Sequence, residues 1–568
     1  MARIFEVFNQ RVPAVVTLTT LFFLAAIIIL PGLSFAASTG VSSYKVLQIN
    51  PPGIANTYVS GVNKTNAAVG SGVASDSTTQ GFEFKSGKYT TIVFPGSSGF
   101  SRANGINDLG LIVGDFYSSG DSGYHGFLLK GKKYTQYDVQ LGKLSTSLFG
   151  VNNNGDLAGS VGANGQLNQG FVDVGGNIQF FTVNSSNTYA YSINDSGESV
   201  GDYTDSSGYP HCFYRDAKGN ITQLNAPNTY LTACFGINDA GVIAGSWVDL
   251  NGQLHAFLYS GGAYTVLPFF WGTSISNKGS IVGFYDGPGS ASGVQYGYLA
   301  EPKTFGSYAN VQLPGAKSTT PYGINKTKEM VGVYTDGGGG SHGFLFAKKK
   351  VTNIDDPGAQ AGTTAAYGVN TAGEIVGGYT NSGGVNVGFH YANGSYSDIA
   401  PAGSQYTNPT GINDSGDVAG LWIDGSGNAH GFIYNGSSFK NLDVPGAQFT
   451  GCWGINNSGQ VTCQFGDQFG VINSALYNGS TFTTIDVPGA FVTAAHSINT
   501  NGDVVFLWQD IYGNNHGGTL SKGAYYVFDV PAADGTGTDA GGLNDTGTIV
   551  GHFTPAGSSS VEGFSGKL

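Results

Sequence analysis

Short apolar runs rich in Val, Ile, Tyr and Phe follow one another along the chain, each broken after a few residues by Gly, Asn, Asp or Ser. No long stretch has the spacing of an amphipathic helix, and no heptad array is present. Runs of this kind between turn residues predict β-strands, and their number predicts an all-β protein. Clean apolar–polar alternation is missing from EIVGGYT (374–380) and VIAGSWVD (242–249). Such strands are expected where sheets stack and both faces are buried.

The runs are periodic. A motif of Gly or Ser, then Ile, Val or Leu, then Asn starts at 61, 105, 150, 192, 236, 323, 368, 411, 454, 497 and 542, with Ser-Ile-Ser at 274. That makes twelve repeats of about 44 residues, close to the WD40 or kelch period. Each repeat reads as a segment ending in Gly-Ile-Asn, an Asn-x-x-Gly turn such as NDSG (413–416), and a second strand. A third strand such as HGFIY and a fourth such as FKNLDV (439–444) follow, closing on Pro-Gly-Ala. Four short strands per repeat predict a blade, and the chain a β-propeller of twelve four-stranded repeats. An aromatic recurs in the second strand at Tyr117, Tyr203, Trp247, Tyr285, Tyr334, Tyr379, Trp422, Phe465, Trp508 and Phe553, the pattern of packing between blades.

Twelve blades exceed the usual four to eight. The expectation is two six-bladed propellers, 43–303 (repeats 1–6) and 304–568 (repeats 7–12), with one large ring as the alternative. The longest spacing falls at EPKTFGS (301–307), where a crossover between rings belongs. The last repeat stops at Leu568 after its third strand, and SYKVLQINPPG (43–53) reads as a spare fourth strand. The N-terminal strand is therefore expected to complete the C-terminal blade and remove a free edge.

Charge and the first residues bear on location. The net charge of −13 argues against nucleic acid and anionic lipid as partners. Arg3 and Arg11 precede an apolar stretch from Ala14 to Leu30, and Ser34-Phe35-Ala36 offers a small-residue cleavage site. This predicts a signal peptide over 1–36 and a secreted, extracellular or periplasmic protein with no membrane segment after cleavage, expected to be a monomer. Four cysteines then have an oxidising compartment in which to pair. Cys452 and Cys463 flank one turn and can face each other across a hairpin, and Cys212 and Cys234 sit in consecutive repeats; free buried thiols are the alternative for both.

The string LHAFLY (254–259), with HGF at 125–127, 342–344 and 430–432 after Gly-Ile-Asn elements, resembles the HAF family of bacterial extracellular repeats across essentially the whole chain. The resemblance implies export and supplies no catalytic residues. Repeats 1, 3, 6, 8, 10 and 12 depart from it by lacking the His.

Candidate chemistry is weighed against the repeat itself. Asp stands six residues before His in five repeats: Asp205/His211, Asp249/His255, Asp336/His342, Asp424/His430 and Asp510/His516. A catalytic pair is unique in a chain, whereas a pair that recurs reads as a structural clasp around a turn. Glu198, Glu374, Asp156, Asp417 and Asp503 follow the Gly of Asn-x-x-Gly turns and are the residues calcium would use, although plain turn chemistry explains the pattern; no cofactor is expected. GGSHG (339–343) matches a nucleophile elbow but leads into a strand, so it is set aside. LPFFWGT (267–273) breaks the repeat most, so Phe269, Phe270 and Trp271 are candidates for stacking on a sugar, or for filling the contact between two rings. The expected function is a non-catalytic binding or scaffold module for a surface glycan or protein. The alternative is a polysaccharide lyase or hydrolase on the same scaffold.

Overall fold

The computed structural model describes residues 43–568, apart from 121, 140–144, 163–165, 270, 287–293, 304–307, 469, 511, 531–532, 556, 559 and 568. The signal-peptide reading of 1–36 and the candidate Phe270 lie outside the described residues. All 48 elements, β1–β48 in chain order, are strands.

One blade shows why the repeat has its sequence. β34 (Tyr406–Ile412), β35 (Val418–Ile423), β36 (Ala429–Tyr434) and β37 (Phe439–Leu442) form an antiparallel meander. The first turn needs Gly416 at φ 83° and is held by Asn413, whose Oδ1 accepts the N–H groups of Ser415 at 3.0 Å and Asp417 at 2.9 Å. Gly420 in the second strand leaves room for the Phe of HGF: a Cβ there would lie 2.6 Å from the ring of Phe432. Close approach between blades belongs instead to the Gly of Gly-Ile-Asn, since a Cβ on Gly411 would lie 2.6 Å from the Trp453 carbonyl oxygen of the next blade.

The blades close into two rings of six. The first has inner strands β2 (Ile54–Val62), β6 (Ser101–Ile106), β10 (Ser145–Val151), β14 (Thr188–Ile193), β18 (Thr229–Ile237) and β22 (Trp271–Ile275). The second has β26 (Ser318–Ile324), β30 (Ala365–Val369), β34, β38 (Phe449–Ile455), β42 (Val492–Ile498) and β46 (Ala533–Leu543). The motif Asn ties each blade to the next by donating Nδ2–H to the following motif's carbonyl. In the second ring Asn325, Asn370, Asn413, Asn456, Asn499 and Asn544 form an unbroken circle at 2.9–3.3 Å, the last donating back to Asn325 at 3.0 Å. The first ring runs likewise from Asn63 to Ser276 and closes through Thr273 Oγ1 to the Val59 carbonyl at 2.5 Å and Ser280 Oγ to Asn66 Oδ1 at 2.8 Å.

The closing strands differ from the expectation that the N-terminal strand completes the C-terminal blade. β1 (Ser43–Ile49) pairs with β24 (Gln295–Lys303) and completes blade six, while β25 (Tyr308–Val311) pairs with β48 (Glu562–Lys567) and completes blade twelve. A ring of six meets its own start at blade six, so each ring borrows its fourth strand from its own beginning.

β1 does more than close a ring. Its other edge pairs antiparallel with β45 (Ala524–Phe528), with Ser43 opposite Phe528 and Val46 opposite Tyr525. One sheet therefore continues from blade six through β1 into blade eleven. Tyr44, Phe269, Tyr285 and Tyr298 of the first ring share a buried cluster with Val487, Trp508 and Val527 of the second.

Candidate functional site in the second channel

The recurring His side chains sit in clasps at the turn between second and third strands. His211 Nε2 lies 3.1 Å from Asp205, His255 3.4 Å from Asp249, His342 3.3 Å from Asp336, His430 3.5 Å from Asp424 and His516 3.6 Å from Asp510. A second carboxylate, thirteen residues after the His, meets Nδ1 in four repeats: Asp138 on His125, Asp355 on His342 and Asp443 on His430 at 3.0 Å, and Asp529 on His516 at 2.9 Å. The second-strand aromatic packs on the same ring, tilted for Trp422 on His430 at 5.2 Å and stacked for Trp508 on His516 at 4.4 Å. In repeat 2 that aromatic is Phe116, which stacks on His125 at 5.2 Å, and not Tyr117. A one-residue slip in a strand moves a side chain to the other face, and Phe116 is the residue paired with His125.

Burial opposes protonation of His342, His430 and His516, but the flanking carboxylates outweigh it and raise all three. His516, only 6% exposed between the rings, is pushed up to about 10. Asp424 is held down at about 2, chiefly by the backbone N–H of Asn428. These paired groups staple turns.

The calcium-type carboxylates are also engaged. Glu198, Glu374, Asp156, Asp417 and Asp503 each accept Nδ2–H from the motif Asn four residues earlier, at 2.7–3.2 Å, and so orient the donors of the two circles. Among the described residues no three His, Cys, Asp or Glu side chains gather as a metal site. Phe269 is 7% exposed and packs edge-on against Tyr44 at 5.2 Å, in the cluster that joins the rings. Trp271 stacks on Phe284 at 5.6 Å. Cys452 and Cys463, paired across β38 and β39 (Val461–Gly466), are disulfide-bonded, as are Cys212 and Cys234 of adjacent blades.

Two rows of the inner strands do not repeat. One is the residue just before Gly-Ile-Asn. The other stands two residues earlier, opposite the residue that follows the second-strand Gly. In the first ring these rows mostly serve the fold. Arg102 clamps Asp115 with Nε–Oδ1 2.9 Å and Nη2–Oδ2 2.6 Å, and Asn104 and Ser147 also donate to that fully buried carboxylate. Tyr191 meets Phe149 at 5.2 Å and Phe235 at 5.5 Å. At the turn end of this channel, Asp108, Asp195 and Asp239 accept backbone and Asn N–H groups from neighbouring blades.

The second ring is different. Its row before Gly-Ile-Asn carries Tyr322, Tyr367, Thr410, Trp453, His496 and Gly541. Tyr322 and Tyr367 lie 5.3 Å apart, and Trp453 meets His496 edge-on at 5.9 Å. The row above has the small residues Ala365, Gly451 and Ala494, together with Asn408 and Asp539. Asp539 is paired across the strands with His552 on β47 (Thr548–Pro555). Its carboxylate lies 3.3 Å from His496 Nδ1 and 3.8 Å from His552 Nε2. Burial would raise Asp539, but the two imidazoles outweigh it and keep the carboxylate ionised. His496, whose Nδ1–H also donates to the Ala540 carbonyl at 3.1 Å, is raised despite its burial.

Two polar atoms here are buried without a hydrogen-bond partner, Trp453 Nε1 and His552 Nδ1. No residue of this cluster stood out from its residue type alone. The available signal was positional: the residue before Gly-Ile-Asn changes from blade to blade while the Asn beside it stays.

The chain matches no protein-family model and no curated protein sequence. Among solved structures it is similar to the six-bladed β-propeller fungal lectin from Aleuria aurantia, described with a fucose recognition mode, at 14% identity and TM-score 0.26, over 52% of this chain and 93% of that one. It is similar to the BP39L lectin from Burkholderia pseudomallei at 10% identity and TM-score 0.24, over 59% and 95%. The β-propeller domain of the Trilobed protease from Pyrococcus furiosus is similar at 9% identity and TM-score 0.21, over 60% and 98%. Likenesses this distant carry no argument about ligand or activity.

Proposed function

We propose that this protein is an exported, non-catalytic binding module that holds a glycan in the channel of its second ring. The observation that carries the reading is the break in the repeat along the inner rows of the second ring, where Tyr322, Tyr367 and Trp453 bring aromatic rings beside His496 and Asp539. A sugar presents apolar C–H faces to aromatic rings and hydroxyls that both donate and accept. Tyr322 and Tyr367 carry hydroxyls that donate and accept, and Asp539 supplies an acceptor. The Asp–His clasps, being paired and repeated, contribute stability and not turnover.

A glycan array probed with the secreted protein tests this. The expected outcome is retention of a defined glycan, weakened at least roughly tenfold by Trp453→Ala in a protein whose circular dichroism is unchanged. Equal retention by wild type and variant, or none by either, sinks the reading. Release of shortened oligosaccharides would convert it to an enzyme. N-terminal sequencing of protein from the medium tests export, with cleavage after Ala36 expected.

A further inference from the structure

We infer that the second channel is a blind funnel that takes a glycan by its terminal sugar and excludes the interior of a chain. This rests on the glycan-binding reading above and adds which part of the glycan is recognised.

Glycine sets the floor. At Gly-Ile-Asn the inner strands touch backbone to backbone. A Cβ on Gly323 would lie 3.3 Å from the Cα of Gly368, one on Gly368 3.1 Å from that of Gly411, one on Gly411 3.1 Å from that of Gly454 and one on Gly454 2.8 Å from that of Ser497. The last blade meets the first in the same way, with a Cβ on Gly542 3.2 Å from the Cα of Gly323. A Cβ stands about 1.5 Å from its own Cα, so these neighbouring Cα atoms are within about 5 Å of each other. In a hexagon each corner is as far from the centre as from its neighbour. Once an atomic radius of about 2 Å is taken off, the opening is about 3 Å in radius. A pyranose with its hydroxyls is broader than that opening. The circle of bonds from Asn325 to Asn544 lies two residues further on and holds the same strands, so the constriction cannot widen without breaking it.

The recognition groups stand directly above this floor. Tyr322, Trp453 and His496 come one residue before it and four residues after the first residues of their strands, Ser318, Phe449 and Val492. Four residues of strand rise about 13 Å. Solvent reaches this depth: His496 and Asp539 keep 21% and 19% of their side-chain surface exposed, and Tyr322, Tyr367 and Trp453 are part-exposed. With the floor closed to a sugar, the way in is from the strand starts. A chain lying across that mouth holds its interior sugars far above the rings. An end that points down the axis brings one sugar onto Tyr322, Tyr367 and Trp453, beside His496 and Asp539.

The test uses the full secreted protein and the oligosaccharide retained on the array, capped with a bulky trityl group at one end, at the other, or at both. In isothermal titration the doubly capped form is expected to bind at least roughly tenfold more weakly than the free oligosaccharide, and the singly capped pair to show which end enters. A second measurement uses chains lengthened at the end that does not enter. Light scattering should count the same number of bound proteins per chain whatever its length. Undiminished binding of the doubly capped form, or a number of bound proteins that rises with chain length, would overturn the inference while leaving glycan binding intact. If no glycan is retained on the array, the reading beneath it fails as well.

Discussion

At the residue scale, one side-chain pattern serves different ends according to burial. The clasp of His430 with Asp424 and Asp443 is largely solvated, and exposed ion pairs of this kind contribute little. The clasp of His516 with Asp510 and Asp529 lies against the first ring, where Tyr512 stacks on His255 at 4.5 Å. Because His516 is raised from 6.5 to about 10, its stabilisation is fully present below pH about 6.5 and lost as pH rises toward about 10. His516→Asn is expected to cost about 3 kcal/mol at pH 7 and to flatten the melting temperature across that window, read by calorimetry. Asp424→Asn should leave the melting temperature nearly unchanged. The motif Asn is the other buried polar device. Asn413 accepts two backbone N–H groups of its own turn and donates to the next blade, so Asn413→Ala should cost about 2–4 kcal/mol in urea unfolding.

At the element scale, β1 has two jobs. It supplies the fourth strand of blade six and covers the outer edge of β45 in blade eleven. Removing residues up to 49 therefore exposes two edges, β24 and β45, in a protein that otherwise pairs them. Such edges template further pairing. The truncated protein should elute as oligomers in size exclusion, and a synthetic peptide of residues 43–50 added in trans should restore the monomer. Elution as a monomer without the peptide would show that the shared strand is dispensable.

At the scale of the whole molecule, each ring is closed by its own strand and its own belt of hydrogen bonds, yet a single buried cluster joins the two. Residues 308–568 hold the full second circle from Asn325 to Asn544. That fragment is expected to unfold cooperatively by circular dichroism, at a lower temperature than the full chain, because Trp508 and Val527 lose their cover. It should keep the glycan affinity of the full protein, since the channel cluster contains no residue of the first ring. Loss of affinity in a folded fragment would place part of the site in the first ring.

The sequence by itself determined the blade: strand number, the Asn-x-x-Gly turn and the packing aromatic follow from period and local chemistry, which act within one repeat, whereas the choice of two rings over one large ring was decided by which blades meet. Even there, Tyr117 stood in for Phe116, because facing is set by register across strands and not by position along one. Only the tertiary structure decided which edges the spare strands cover, since pairing partners hundreds of residues apart leave no local trace. It also gave the aromatics of LPFFWGT different places, with Phe269 in the seam between rings, one of the two roles the sequence offered, and Trp271 on an inner strand. The cluster of Asn408, Trp453, His496, Asp539 and His552 belongs to the same class. Its members come from four blades, each unremarkable alone, and only closure of the ring brings them to one channel.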